Sequence, residues 1–230
     1  MIDVATLDGE GQFKTFLAEP EGNPRGAVIV IQEIFGVNLG IRQRCERWAE
    51  DGYLCFAPDL FWRIEPGVEL DPDVEPEFQQ ALKLMGKFNQ DQGVRDIEAV
   101  IREARSRLGG EGKVGCVGYC LGGRLAFMTS TRTGIDASVG YYPVELDPLL
   151  EAKDKIARPL MLHIAGDDHF VSKAGQARVH SALDDHPQVT LHDYPGEDHG
   201  FATEMGKRRS DATAQIADSR TYDFFKQHLA

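Results

Sequence analysis

The chain has 230 residues, 42% of them apolar and 27% charged, with a formal net charge of -12. That is enough chain for one α/β domain with a full core, while the acidic balance excludes the basic surface that nucleic acid or an anionic membrane requires. No apolar run approaches the ~20 residues of a membrane span. The start, Met-Ile-Asp-Val-Ala-Thr, has no basic stretch leading into an apolar core, so no signal peptide is read. The expectation is a single-domain cytoplasmic protein over residues 1–230, a monomer or weak homo-oligomer.

In chain order, residues 13–18 and the continuous apolar run 27–32 read as strands. Residues 41–50 carry a helical pattern that stops before Asp51-Gly52, and 53–57 form the next strand. From Arg63 to Asp73 the pattern breaks at Pro66, Gly67, Pro72 and several acids, which predicts a surface excursion. A helix over about 77–88 follows. Val94, Ile97, Ile101, Ala104 and Leu108 then make one apolar stripe at helical spacing. Strands are expected at 113–119, 137–142, 159–165 and 189–193, and Ser210 can cap a last helix reaching about residue 228. Lys207-Arg208-Arg209 reads as a solvated basic face. Near-continuous apolar strands alternating with helices predict a mostly parallel sheet covered on both faces.

Cys120 is the centre of the chemistry. It stands in Gly-Tyr-Cys-Leu-Gly-Gly, residues 118–123, directly after an apolar strand and before a helix. The spacing G-x-C-x-G is the nucleophile-elbow pattern with cysteine at the apex. Small neighbours let strand and helix pass closely, and a thiol at a helix N-terminus is biased toward thiolate. Cys45, Cys55 and Cys116 read as small buried apolar residues, because a chain without a secretory leader has no need of disulfides.

A thiol nucleophile needs a proton acceptor, and the acceptor needs an orienting group. Two later strand ends offer them: Leu160-Met-Leu-His-Ile-Ala-Gly166 leading into Asp167-Asp168-His169-Phe170, and residues 189–195 leading into Gly196-Glu-Asp-His199-Gly200-Phe201. The order Cys120, Asp168, His199 is the α/β-hydrolase order, although spacing barely separates Asp167 from Asp168. Among the seven histidines, His163 and His192 fall inside strands, His180, His186 and His228 on surfaces, and His169 beside the acid pair. A metal site at His163, Asp167, Asp168, His169 and His199 ranks low, since no short ligand spacing accompanies it. Glu33 ends the strand 27–32 in the apolar setting Ile-Gln-Glu-Ile-Phe-Gly, which favours proton exchange with a neighbour over solvation. Backbone amides of Ile34 and Leu121 are the expected oxyanion donors. No cofactor motif is present.

Several segments together resemble the dienelactone hydrolase (carboxymethylenebutenolidase) family: Ile31-Gln-Glu-Ile-Phe-Gly-Val37, Pro58-Asp-Leu-Phe61, Gly115-Cys-Val-Gly-Tyr-Cys-Leu-Gly-Gly123, Gly140-Tyr-Tyr142, Asp168-His-Phe-Val171 and His199-Gly-Phe-Ala202. The likeness runs from about residue 10 to the end. It implies an α/β-hydrolase fold without a large cap, a triad of Cys120, Asp168 and His199, and a Glu33 that takes the thiol proton when substrate enters. It also implies a small ester or lactone as substrate, with no metal and no cofactor. Phe35, Phe78, Leu82, Tyr141, Phe170, Phe201 and Thr203, which flank these motifs or follow the acidic excursion, are the candidate pocket lining. The family holds its substrate carboxylate with two arginines. Here Thr203 stands at one place, and Glu75-Pro-Glu-Phe-Gln-Gln80 at the other contains no arginine. Arg124, just after the elbow, is expected at the surface. These departures open a second expectation, an esterase or thioesterase for uncharged substrates. A non-catalytic thiol sensor or binding protein is the third.

Overall fold

The computed structural model describes residues 1–229. Its strands are β1 (Ile2–Ala5), β2 (Gln12–Ala18), β3 (Ala27–Ile31), β4 (Leu54–Pro58), β5 (Val114–Tyr119), β6 (Ala137–Tyr141), β7 (Leu160–Ala165) and β8 (Val189–Tyr194). Its helices are α1 (Leu39–Glu50), α2 (Glu75–Lys87), α3 (Gln90–Arg107), α4 (Leu121–Arg132), α5 (Lys173–Leu183) and α6 (Asp211–Leu229), with a 3₁₀ helix over Asp147–Lys155. The strands form one sheet in the order β1-β2-β4-β3-β5-β6-β7-β8. β1 and β2 run antiparallel to their neighbours, and all later pairs are parallel. This is the mostly parallel, helix-covered sheet that the alternating pattern predicts, and it fits the α/β-hydrolase plan that the resemblance implies.

Sequence chemistry explains the elements. Every residue of β3 and β5 is buried, as central strands sandwiched between helices must be. The stripe of α3 packs inward, with Val94, Ile97, Ile101 and Ala104 all buried. On the opposite face, Trp48 of α1 meets Tyr222 and Phe225 of α6 at ring centroids of 6.3 and 5.3 Å. Asn38 caps α1 by accepting from Ile41 N at 3.2 Å, which starts that helix before residue 41. Ser210 does not cap α6 through its hydroxyl, which goes to Glu197 Oε1 at 2.9 Å. β1, which no apolar run announced, buries only Val4. Among the described residues, no helix is long and apolar enough to cross a membrane.

The expected surface excursion is tied down instead. Asp59 accepts from Phe61 N and Gly67 N, Leu70 N donates to Phe35 O, and Asn38 Nδ2 donates to Leu70 O. Val68 and Leu70 are buried as a result. The segment thereby roofs the loop after β3. β3 lies between β4 and β5, so the chain leaves it on one side and returns on the other. Such a reversal opens a crevice beyond the carboxyl ends of the strands, where open α/β sheets bind ligands.

Candidate active site

At this crevice β5 ends in a turn of unusual tightness. Cys120 has φ 57° and ψ -116°, a left-handed conformation that non-glycine residues rarely adopt, and stands at the N-terminus of α4. The glycines beside it are required by space. A Cβ on Gly118 would lie 1.9 Å from Gly122 O, and one on Gly122 would lie 2.4 Å from Ile31 O. The Cys120 amide donates to Tyr141 O at 3.1 Å, so the apex is also pinned to β6. Among the described residues, the amides of Ile34 and Leu121 donate no hydrogen bond. Ile34 lines the same cleft as Cys120, and Leu121 follows the thiol in the chain as the first residue of α4.

His199 Nδ1 lies 2.8 Å from Asp168 Oδ2, and both residues are buried. The other oxygen of Asp168 accepts from Phe170 N at 2.8 Å. The structure separates the two adjacent acids: Asp167 faces solvent and pairs with Lys173 at 2.8 Å. His199 Nε2 is buried, and among the described residues no nitrogen or oxygen atom pairs with it; its side-chain neighbour there is the Cys120 sulfur. Burial alone would lower this imidazole, but the neighbouring Cys120 sulfur and the Asp168 hydrogen bond outweigh it and raise it to about 10.

Glu33 shares a narrow cleft with Cys120 and His199. Burial pushes its carboxyl above the usual carboxylate range, against the pull of His199 and a hydrogen bond from Thr203. Thr203 Oγ1 is 3.2 Å from Glu33 Oε2 and 2.9 Å from Met205 O. One hydroxyl proton cannot serve both, so the carboxyl has room to hold its own proton. Tyr142 OH reaches the other oxygen at 3.5 Å, and its ring meets His199 edge-on at 4.9 Å.

The cleft has a free volume of about 30 Å³ and is walled by Ile34, Phe35, Phe78, Phe170 and Thr203. Three expected lining residues lie elsewhere. Tyr141 points to the opposite side of the sheet, because successive strand residues alternate; Tyr142, with φ 35°, turns into the site in its place. Phe201 is buried between Tyr142 and Tyr194. Leu82, one turn beyond Phe78 on α2, is exposed. Arg124 pairs with Glu145, away from the cleft.

Arg208 is the group that sequence reasoning missed. Taken as part of a solvated basic face, it instead lines the cleft, its guanidinium 5.6 Å from the Phe78 ring and 5.7 Å from the Phe170 ring. Among the described residues it makes no salt bridge, though its charge is felt by Glu33 in the same cleft, whereas Arg209 beside it pairs with Glu204 and Asp211. The one available signal is its place in the loop that carries His199.

Other sequence candidates resolve into structural roles. His163 is buried between Tyr194 OH at 2.7 Å and Thr221 Oγ1 at 2.9 Å. Asp168, His169 and Asp198 bring ligand-type atoms within 4.8 Å of one another, but Asp168 is engaged by His199 and Asp198 by His169. The four cysteines are free and buried. A roomier cavity of about 360 Å³ lies between α1 and α6, behind the sheet and away from Cys120. Reactive groups, not size, therefore single out the narrow cleft.

The chain has relatives along nearly its whole length. The dienelactone hydrolase family model matches residues 13–229. A protein of Azospirillum brasilense is 41% identical over 100% of both chains. The carboxymethylenebutenolidase of Pseudomonas putida is 36% identical over 97% of this chain and 94% of its own. A solved structure from Klebsiella pneumoniae superposes with a TM-score of 0.82 at 25% identity, covering 99% of each chain. A buried Asp–His pair beside a thiol at a strained elbow thus sits in a chain whose whole length has hydrolases for relatives, and the protein belongs to the dienelactone hydrolase family.

Proposed function

We propose that the chain hydrolyses a small carboxylate-bearing lactone or ester through a thioester on Cys120, with His199 and Asp168 completing a triad. The observation that carries this reading is the convergence at one cleft of a thiol at a strained elbow, two undonated amides and a buried imidazole that meets Asp168 through Nδ1 and the Cys120 sulfur on its other side. Each is a group held ready for something not yet bound.

The proton ledger closes. Glu33 takes the thiol proton, and the sulfur attacks the carbonyl carbon. The oxyanion lies against the amides of Ile34 and Leu121, each donor contributing ~3 kcal/mol to barrier lowering. His199, whose proton is held by Asp168 and by the thiolate beside it, gives that proton to the departing oxygen. The acyl group remains on sulfur. Water then attacks the thioester, giving a proton to His199, and the acid leaves from sulfur. Glu33 returns its proton to the thiolate, so the net change is one bond hydrolysed by one water. Asp168 keeps the ring oriented throughout.

Arg208 supports an anionic substrate. It supplies a cation at the mouth that makes no salt bridge among the described residues, in place of the two family arginines that this sequence lacks. The cleft is narrow, about 30 Å³, and the exposed Arg208 side chain is one of its walls. The aromatic walls Phe35, Phe78 and Phe170 favour the second reading, an esterase for uncharged acyl groups. Intact-mass analysis of rapidly quenched turnover tests the proposal: an acyl adduct on Cys120 is expected, and steady turnover by a Cys120→Ala variant would end the acyl-transfer reading. A matched panel of charged and neutral lactones decides between substrates.

A further inference from the structure

We propose that Arg44, on α1 and behind the sheet, is a positioning residue for this reaction: its guanidinium grips the Ala202 carbonyl and so fixes the loop that carries His199 and Thr203. The inference rests on the acyl-transfer reading above.

Arg44 occupies the buried face of α1 together with Ile41, Cys45 and Trp48. Its Nη2 donates to Ala202 O and lies 3.1 Å from Glu204 Oε1, while Nη1 donates to Asp218 Oδ1 at 3.2 Å. The guanidinium stacks 4.3 Å from the centroid of Tyr119, the residue before Cys120. Asp218 also accepts from Tyr141 OH at 2.9 Å, and the Tyr141 carbonyl receives the Cys120 amide. One side chain therefore reaches the ends of β5 and β6 and the histidine loop together.

That loop needs such a tie. Between β8 and α6 it contains no helix or strand and includes three glycines at positive φ: Gly196, Gly200 and Gly206. Ala202 precedes Thr203, whose hydroxyl meets Glu33, and follows His199 by three residues. Stability alone does not account for the arrangement. A buried cluster of ions is a poor stabiliser compared with apolar side chains of the same volume. What a guanidinium adds is a planar fork that fixes the direction of a carbonyl and two carboxylates.

The roomy cavity between α1 and α6 is lined by Arg44, which makes chemical rescue possible. Arg44→Ala and Arg44→Lys are assayed on an activated ester and on an enol-lactone, with Cys120→Ala in parallel. Misplacing catalytic groups by about 1 Å costs on the order of 10²-fold, so kcat of Arg44→Ala is expected to fall ~10–100-fold with KM changed less than about threefold. Methylguanidinium at millimolar concentration should restore much of that loss, and equal sodium chloride should not. A kcat within about twofold of wild type, or a loss that methylguanidinium leaves unchanged in protein with a native near-ultraviolet spectrum, overturns the proposal on this scale. If Arg44→Ala does not fold, Arg44→Lys decides: it keeps the charge without the fork, and full kcat in that variant refutes positioning. Turnover by Cys120→Ala would sink the reaction itself; a dead Cys120→Ala beside unimpaired Arg44 variants would sink only the role of Arg44.

Discussion

The two sides of the sheet's carboxyl rim are built on opposite rules. Behind the sheet, Arg44, Asp218, Tyr141, Thr221, His163 and Tyr194 form a chain in which each polar group meets another. In front, the amides of Ile34 and Leu121 donate to nothing among the described residues, and the buried Nε2 of His199 has only the Cys120 sulfur beside it. Buried polar groups are normally paired, and each exception asks for a reason. The rear network holds the frame still. On the proposed reading, the front leaves its capacity open for a carbonyl oxygen and a proton in transit.

Variants on the front should abolish chemistry and leave the frame intact. Cys120→Ala is expected to lower kcat by ~10⁴-fold or more, with an unchanged melting temperature, measured by steady-state assay and calorimetry. Asp168→Asn should cost ~10²–10⁴-fold, because the imidazole loses the partner that fixes its tautomer. Arg208→Gln should raise KM for a carboxylate-bearing lactone by ~10–100-fold, the worth of a charged hydrogen bond, while an uncharged ester is unaffected. Equal effects on both substrates would remove Arg208 from recognition.

Glu33→Gln gives the smallest effect and the finest discrimination. Burial raises the Glu33 carboxyl, so the folded protein holds that proton more tightly than the unfolded chain does. Its contribution to stability is complete below the ordinary carboxylate value near 4.5 and is lost as pH rises through the folded value. The amide escapes that loss. Glu33→Gln should therefore melt a few degrees higher than wild type at pH 8 and at the same temperature near pH 4. The same change should flatten the acidic limb of kcat/KM and slow the enzyme. A variant that is neither more stable at high pH nor altered in pH profile would show that Glu33 is an ordinary solvated acid.

Much of the frame was legible because its signals are local. The apolar runs before Gln32 and Tyr119, and the elbow between two glycines, announce themselves within a few residues. The front and rear of the rim were harder to sort. Tyr141 and Tyr142 are chemically alike and adjacent, yet the backbone at φ 35° sends them to opposite sides. Arg208 lies in a basic run that looks solvated, and its aromatic neighbours come from α2 and the loop after β7. Arg44 is a charged residue on a helix face otherwise apolar, and its partners lie 158 and 174 positions away. The tether at Asp59 likewise depends on contacts that composition does not encode. What escaped the sequence was tertiary neighbourhood, not element type.

The elbow has a consequence for how such a protein can change. Its shape is set by main chain against main chain, glycine 118 against the carbonyl of 122 and glycine 122 against that of 31. No side chain takes part in those contacts, so the bend is indifferent to what crowns it or faces it across the cleft. Appetite for new molecules can then be altered by exchanging side chains around the mouth, with the scaffold beneath them undisturbed.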